Sequence, residues 1–176
     1  KIYLLPLRRN PADPMSLTDP KVDCFIDSLS GGLFRKALTF TEYRATAEYL
    51  NFHLEKAKNA DKLRLRFAIT TASDRDLSKK LDRFAPVGRK AEVAGADELD
   101  LLVSTDVLSE GVNLQDADLL INFDLPWNPM RIVQRVGRVN RIGSENKVRV
   151  LNFAPDQALD QFLNLLEILT GKIRQV

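Results

Sequence analysis

Residues 101–143 constrain the fold of this chain more than any other stretch. They read LLVSTDVLSEGVNLQDADLLINFDLPWNPMRIVQRVGRVNRIG. Two short apolar runs, 101–103 and 119–123, each end in polar residues, Ser104-Thr105-Asp106 after the first and Asp124 after the second. A small-residue turn, Ser109-Glu110-Gly111-Val112-Asn113, follows the first run. Short apolar runs bounded by turn signals read as strands. Asn128 is a good helix N-cap and Pro129 a good first helical residue, so a helix begins there. At 3.6 residues per turn, Gln134, Arg138 and Arg141 fall on one face of it, while Ile132, Val133, Val136 and Val139 offer a buried side. Two guanidiniums pointing the same way are a natural receptor for phosphate, because each planar fork donates two hydrogen bonds and keeps its charge.

The rest of the chain repeats this alternation. Residues 1–18, with Pro6, Pro11, Pro14 and Arg8-Arg9, read as an arm or linker. Asp19-Pro20 starts a helix whose apolar residues Val22, Phe25, Ile26 and Leu29 recur at helical spacing, and Gly31-Gly32 ends it. Cys24 lies near that stripe and reads as packing. Residues 35–41 read as a strand ending in hydroxyls, followed by a helix through Leu54. Thr39, Thr41 and Glu42 sit at this strand-to-helix turn, where backbone N–H groups suit a phosphate; the plainer reading has Thr41 capping the helix. His53, the only histidine, has no metal-ligand neighbours and reads as a helix-surface residue. Residues 56–64 read as a loop, 65–71 as a strand, and Ser73 as the cap of a helix carrying Leu77, Leu81 and Phe84 that Pro86 ends. Residues 87–100 read as a polar loop in which Asp97-Glu98-Leu99-Asp100 is an acidic turn. Trp127 reads as a packing anchor. Residues 147–153 form a last strand, and Asp156 opens a final helix.

Composition removes several classes of function. Hydrophobic residues are 44% and charged residues 28% of the 176, ordinary for a globular domain with its own core. The formal charge of only +2 means that any nucleic-acid contact comes from a local patch rather than a whole-domain field. A single cysteine excludes an internal disulfide and suggests a reducing compartment. No apolar run reaches the ~18 residues of a membrane span. The chain begins at Lys1 without an initiator Met, which suggests a piece of a longer protein. Strands alternating with amphipathic helices predict an α/β fold with a mostly parallel sheet and helices on both faces, with ligands at the strand carboxyl ends.

Gln134-x-x-Gly137-Arg138-x-x-Arg141 resembles motif VI of superfamily 2 helicases and translocases. Ser104-Thr105-Asp106 through Glu110-Gly111-Val112-Asn113 resembles motif V, and residues 35–42 resemble motif IV. The Trp127-Asn128-Pro129 lead-in, the Gly111-Val112-Asn113-Leu114 form and the Arg141-Ile142-Gly143 ending are similar to the Swi/Snf-like branch. The turn Thr70-Thr71-Ala72-Ser73 departs from that branch, which carries a glycine there; Arg75 offers a substitute phosphate contact, and the plainer reading is a solvated helix charge.

The resemblance implies a RecA-like three-layer domain over residues 19–176, the C-terminal lobe of a two-lobe motor. It implies that Arg138 and Arg141 act as arginine fingers on ATP, with Gln134 orienting them. Asp106, Glu110, Gly111 and Asn113 would line the ATP side of the lobe interface. Ser104, Thr105, Thr39 and Thr41 would contact the nucleic-acid backbone, with double-stranded DNA favoured. The 176 residues contain no G-x-x-x-x-G-K-S/T phosphate loop and no convincing metal box. ATP and Mg2+ are therefore expected to be bound mainly by an N-terminal lobe, and the piece alone to be inactive. The implied location is cytoplasmic or nucleoid-associated in a bacterium, nuclear in a eukaryote. The competing reading is a non-catalytic module derived from such a lobe that holds nucleic acid or a protein. An unrelated nucleotide-binding α/β domain would require the whole motif set to be accidental.

Overall fold

A computed structural model of the chain describes residues 2–6, 19–32, 34–109, 112–126, 128–140 and 147–154. Its elements are, in order, β1 (Ile2–Pro6), α1 (Pro20–Ser30), β2 (Ala37–Thr41), α2 (Arg44–Asn59), β3 (Phe67–Thr70), α3 (Leu77–Phe84), α4 (Pro86–Arg89), β4 (Leu101–Thr105), β5 (Leu119–Asn122), α5 (Pro129–Val139) and β6 (Arg149–Ala154). The strands form one six-stranded sheet in the order β1-β6-β5-β2-β4-β3. Every pairing is parallel.

Alternation within the strands explains the layers. Ala37, Leu101, Val103, Leu119, Ile121 and Phe153 face α1 and α2, packing with Val22, Phe25, Leu29, Leu50 and Leu54. Leu38, Phe40, Leu102, Leu120 and Val150 face the other way, packing with Leu81, Phe84, Leu108, Leu114 and Val139. A parallel sheet covered by helices on both faces has no solvent side, so its strands are apolar throughout rather than alternating. β2, β4 and β5 are accordingly buried along their whole length.

The predicted helix starts hold where they rest on side-chain caps. Asp19 accepts from the Lys21 N–H at 2.9 Å with Pro20 at the start of α1. Asn128 accepts from the Met130 N–H at 3.0 Å at the start of α5. Cys24 packs on the α1–α2 side of the core, where burial and nearby Asp27 raise its thiol pKa; that suits packing rather than nucleophilic chemistry.

Other expectations are corrected. Ile2–Pro6, inside the stretch read as an arm, forms edge strand β1, with Leu4 opposite Asn152 and Leu5 opposite Phe153. Pro6, which signals an arm, stands at the end of that strand, where a missing N–H is tolerated. α2 continues through Asn59, past the start of the expected loop, because Leu54 and Ala57 extend its buried stripe. Thr41 does not cap α2; the cap position is Tyr43, without a side-chain hydrogen bond. Nor does Ser73 cap α3, which begins at Leu77. Instead Asp74 folds the preceding turn, accepting from the Asp76 N–H at 3.0 Å and from Lys80 Nζ. Within the expected loop 87–100, residues 86–89 form a helical turn. Arg8, Arg9, Trp127 and the helix expected from Asp156 lie outside the described residues.

The amino ends of the strands are clipped by charge. Asp118 accepts from the backbone N–H groups of Arg35 and Lys36. Buried Lys36 pairs with Glu98 at 2.7 Å and donates to the Leu99 carbonyl. Arg66 grips Asp100 through Nε and Nη2, at 3.0 and 2.8 Å. The acidic turn 97–100 thus serves structure at the end of the sheet opposite the candidate site.

Burial would raise the Asp100 carboxyl, but hydrogen bonds from the Arg66 side chain and backbone outweigh it and hold the group below its ordinary value of 3.8. A depressed folded pKa contributes stability that is present above the unfolded value and lost as pH falls through the folded one. We therefore expect Asp100→Asn to lower unfolding stability near neutral pH, with the gap to wild type closing below about pH 4. Urea titrations across pH would measure it; a gap that stays constant into strong acid would contradict the assignment.

Candidate functional site

The strand carboxyl ends share one rung. The register sets Thr70 opposite Ser104, Ser104 opposite Phe40, Phe40 opposite Asn122, and Asn122 opposite Asn152. Asparagines in otherwise apolar strands need partners, since burying an unpaired amide is costly. Asn122 donates through Nδ2 to Asn152 Oδ1 at 2.7 Å, and both residues are fully buried.

Above this rung lies Arg135 of α5, with 1% of its surface exposed. Its Nε and Nη2 both donate to Asp106 Oδ1, at 2.9 and 2.6 Å. Nη1 donates to Asn122 Oδ1 at 2.9 Å and to the Asp124 carbonyl at 3.3 Å. The guanidinium lies 4.9 Å from the Phe40 ring centroid, a cation–π distance. Arg131, one turn earlier and exposed, donates to the other Asp106 oxygen at 2.9 Å. Asp106 is thereby held on both oxygens. Asp124 is also fixed: Lys21 Nζ donates to its Oδ1 at 2.9 Å and Thr41 Oγ1 to its Oδ2.

Arg135 was not singled out from the sequence. Its neighbours in the motif drew attention by their shared face with Arg138. The available signal was the pair of strand asparagines, Asn122 and Asn152, whose burial demands donors and acceptors from another element.

The predicted residues fall into three groups. Gln134 is exposed and Arg138 half-buried, on adjacent turns of α5, which brings these two together. Asn113 is occupied structurally: its Nδ2 donates to the Gly88 carbonyl at 3.0 Å and its Oδ1 accepts from the Gln115 N–H. Nearby, buried Asp116 accepts from the Val87 and Gly88 N–H groups, fastening the loop after motif V to α4. Arg141, Glu110 and Gly111 lie outside the described residues.

The hydroxyl group needs correction. Thr39 sits in mid-strand under α1 and α2 with none of its surface exposed, so it offers nothing to a ligand. Ser104 and Thr41 are equally buried; Ser104 Oγ donates to the Thr105 carbonyl, and Thr41 is spent on Asp124. Residues in a strand covered on both faces point into helices, and the sequence pattern did not reveal how close to the strand tip these lie. Only Thr105 borders open space. It lines a groove of about 360 Å³ with Glu42, Arg44, Thr71, Ala72 and Ser73. Arg75, near that groove, is exposed.

The groove's far wall is held by Asp74. Burial raises its carboxyl, but Lys80, at 2.5 Å, and the Asp76 N–H outweigh this and leave the pKa below the ordinary value. Lys80 also donates to the Ile69 carbonyl, tying the turn 71–76 to β3.

Comparison with known proteins agrees with this geometry. The model of the helicase conserved C-terminal domain matches residues 20–143. The chain is 34% identical over 138 residues to the uncharacterized ATP-dependent helicase YqhH of Bacillus subtilis (strain 168), covering 78% of this chain and 22% of that protein. It is 33% identical over 135 residues to the RNA polymerase-associated protein RapA of Pectobacterium carotovorum, covering 76% and 13%. The chain thus spans less than a quarter of these curated relatives. Among solved structures, the C-terminal domain of the DEAD-box protein Dbp5 superposes with a TM-score of 0.64 at 21% identity, over 86% of this chain and 79% of that one. The C-terminal part of the Fun30 ATPase domain gives 0.63 at 18%, over 79% and 42%. These likenesses show the RecA-like α/β fold.

The α4 attachment yields a stability test. A Cβ on Gly88 would stand 2.9 Å from Asp116 Oδ1 and 3.4 Å from Asn113. Gly88→Ala must displace the carboxylate that caps α4, and we expect it to cost about 1–3 kcal/mol, as overpacking does. A denaturant midpoint equal to wild type would show that this attachment is not needed.

Proposed function

Because the chain belongs to the helicase conserved C-terminal domain family, we propose that it is the second motor lobe of a larger ATP-dependent helicase or translocase of the Swi/Snf-like branch. The observation that carries this reading is the placement of α5. α5 lies at the carboxyl ends of a parallel sheet, bonded there through Arg135 to Asp106 and Asn122, where α/β domains bind ligands, and it carries Gln134 and Arg138 on adjacent turns. In this reading Arg138 and Arg141 donate to the phosphate oxygens of ATP and neutralise charge that develops as the terminal phosphoryl group departs. Gln134 orients them. Glu110 and Gly111 line the lobe interface. Asp106 and Asn113 act there indirectly, holding the motif V backbone, because their side chains already engage Arg131, Arg135 and Gly88.

The reading assigns Mg2+ and the phosphate-binding loop to an N-terminal lobe of the same parent, because the 176 residues contain no G-x-x-x-x-G-K-S/T sequence. Nucleic acid, with double-stranded DNA favoured by the Swi/Snf-like motifs, would lie along the groove beside Thr105, Thr71 and Ser73. Hydroxyls and backbone amides there hold phosphates without reading bases. Such binding weakens as salt rises.

Gly137 adds a second line of support. It lies on the exposed side of α5, and a Cβ there would meet nothing within 4 Å. A helical glycine costs roughly 1 kcal/mol relative to alanine. Among the described residues no contact requires it, and in this reading the bare backbone serves close approach by the ATP-bearing lobe. We expect Gly137→Ala to stabilise this domain by up to about 1 kcal/mol while lowering ATPase activity of the parent. Destabilisation, or unchanged activity, would contradict it.

The direct test compares nucleic-acid-stimulated ATPase of the full parent with that of Arg138→Ala. We expect turnover to fall roughly 10³-fold, the lower range for removal of an arginine finger, with DNA binding retained. Unchanged turnover would remove Arg138 from the phosphates. A wild-type parent with no ATPase would favour the non-catalytic binding module.

A further inference from the structure

Two cations are buried among the described residues, Lys36 at the amino ends of the strands and Arg135 at the carboxyl ends, and Arg135 is the one that reads three acceptors on two strand ends at once. On α5 successive residues turn by about 100°, so Arg131 and Arg135 lie roughly 40° apart and Arg138 roughly 60° from Arg135. The pair that clasps Asp106 therefore fixes the rotation of the helix about its axis, and with it the direction in which Arg138 points. A second tie acts at the other end of motif V, where the Leu114 N–H donates to the Arg138 carbonyl at 3.1 Å. The segment from Asp106 to Leu114 is thus fastened to α5 at both ends. Asp106 directly follows Thr105, the residue that borders the open groove.

We infer that Arg135 is a positioning residue that, through Asp106, sets the presentation of Arg138 and passes strain at the groove to the helix that carries it. This rests on the motor-lobe reading and deepens it. A displacement of Thr105 by nucleic acid moves Asp106, and Asp106 cannot move without turning Arg131 and Arg135. The fork geometry matters, since a lysine keeps the charge but lacks the planar fork whose separate nitrogens meet Asp106 and Asn122 in fixed directions. An apolar anchor of equal size would hold the helix against the sheet but would leave its rotation unspecified.

The test uses the full parent protein. Asp106→Asn keeps the shape of the clasp and removes its charge. Arg135→Lys keeps the charge and removes the fork. Arg131→Ala removes only the exposed half. Each is measured for thermal midpoint, nucleic-acid Kd, ATP KM, and kcat with and without nucleic acid. Asp106→Asn and Arg135→Lys are expected to lower stimulated kcat on the order of 10²-fold, as a displacement of about 1 Å at a reacting centre does. ATP KM and nucleic-acid Kd should stay near wild type, and Arg131→Ala should show a smaller loss of the same kind. A folded Asp106→Asn protein with wild-type stimulated kcat overturns the inference. So does a loss in which kcat, KM and Kd worsen together in step with the thermal midpoint, the pattern of a purely structural ion pair. Should the two buried-pair variants fail to fold, the split between kcat and Kd in Arg131→Ala decides in the same way. Arg138→Ala run in parallel separates the two claims. If it abolishes turnover while the clasp variants do not, the inference alone fails. If wild type shows no stimulated turnover, or Arg138→Ala keeps it, the motor-lobe reading fails and the inference with it.

Discussion

A guanidinium with 1% of its surface exposed is expensive to bury, and the structure around Arg135 is arranged to offset that expense. A lone charge in such a place would cost several kcal/mol. Here a carboxylate, a side-chain amide, a backbone carbonyl and an aromatic face surround it. Removing one member of such a set is worse than never having had it, because the remaining groups are left unpaired in a low-dielectric site. The set brings together β2 through Phe40, β5 through Asn122, β6 through Asn152 and the exit of β4 through Asp106. The helix expected to face ATP is therefore part of the strand-end construction and not an appendage to it.

The two faces of the sheet divide the work. The α1–α2 face is closed by apolar packing around Phe25, Phe123 and Phe153, whose rings meet edge to face or tilted. The other face is apolar under α3 but turns polar at its upper rung, where α5 crosses. Charge appears at both ends of the strands for different reasons. At the amino ends, Asp118, Glu98 and Asp100 satisfy the backbone and cations that enter the sheet. At the carboxyl ends, Asp106 and Asp124 hold arginines and lysine in fixed directions.

Much of the fold was legible because local signals were strong and agreed. Asp19-Pro20 and Asn128-Pro129 mark real helix starts, since capping is chemistry within one turn. The runs at 101 and 119 mark real strands, since a doubly covered parallel strand must be apolar. Failures came where a long-range partner decides. Thr41 looks like a cap, but Asp124, far along the chain, takes its hydroxyl. Thr39 looks like a strand-end hydroxyl, yet two helices cover it. Pro6 looks like a linker signal, yet β6 offers an edge that Ile2–Pro6 can pair with. Helical spacing put Gln134 and Arg138 on one helix face, and the structure sets them on adjacent turns of α5. Arg135 escaped because its role depends on Asn122 and Asn152, which meet only after the sheet forms.

If the Asp106–Arg135 clasp holds α5 so that Arg138 faces the phosphates of ATP bound by a second lobe, a structure of the full parent trapped with DNA and a phosphoryl-transfer analogue of ATP will show it. The Arg138 guanidinium is expected within hydrogen-bond distance of the phosphate oxygens, about 3 Å, with Arg135 still forked onto Asp106. A complex in which Arg138 turns to solvent, or in which the phosphates are reached only after the clasp opens, would contradict it.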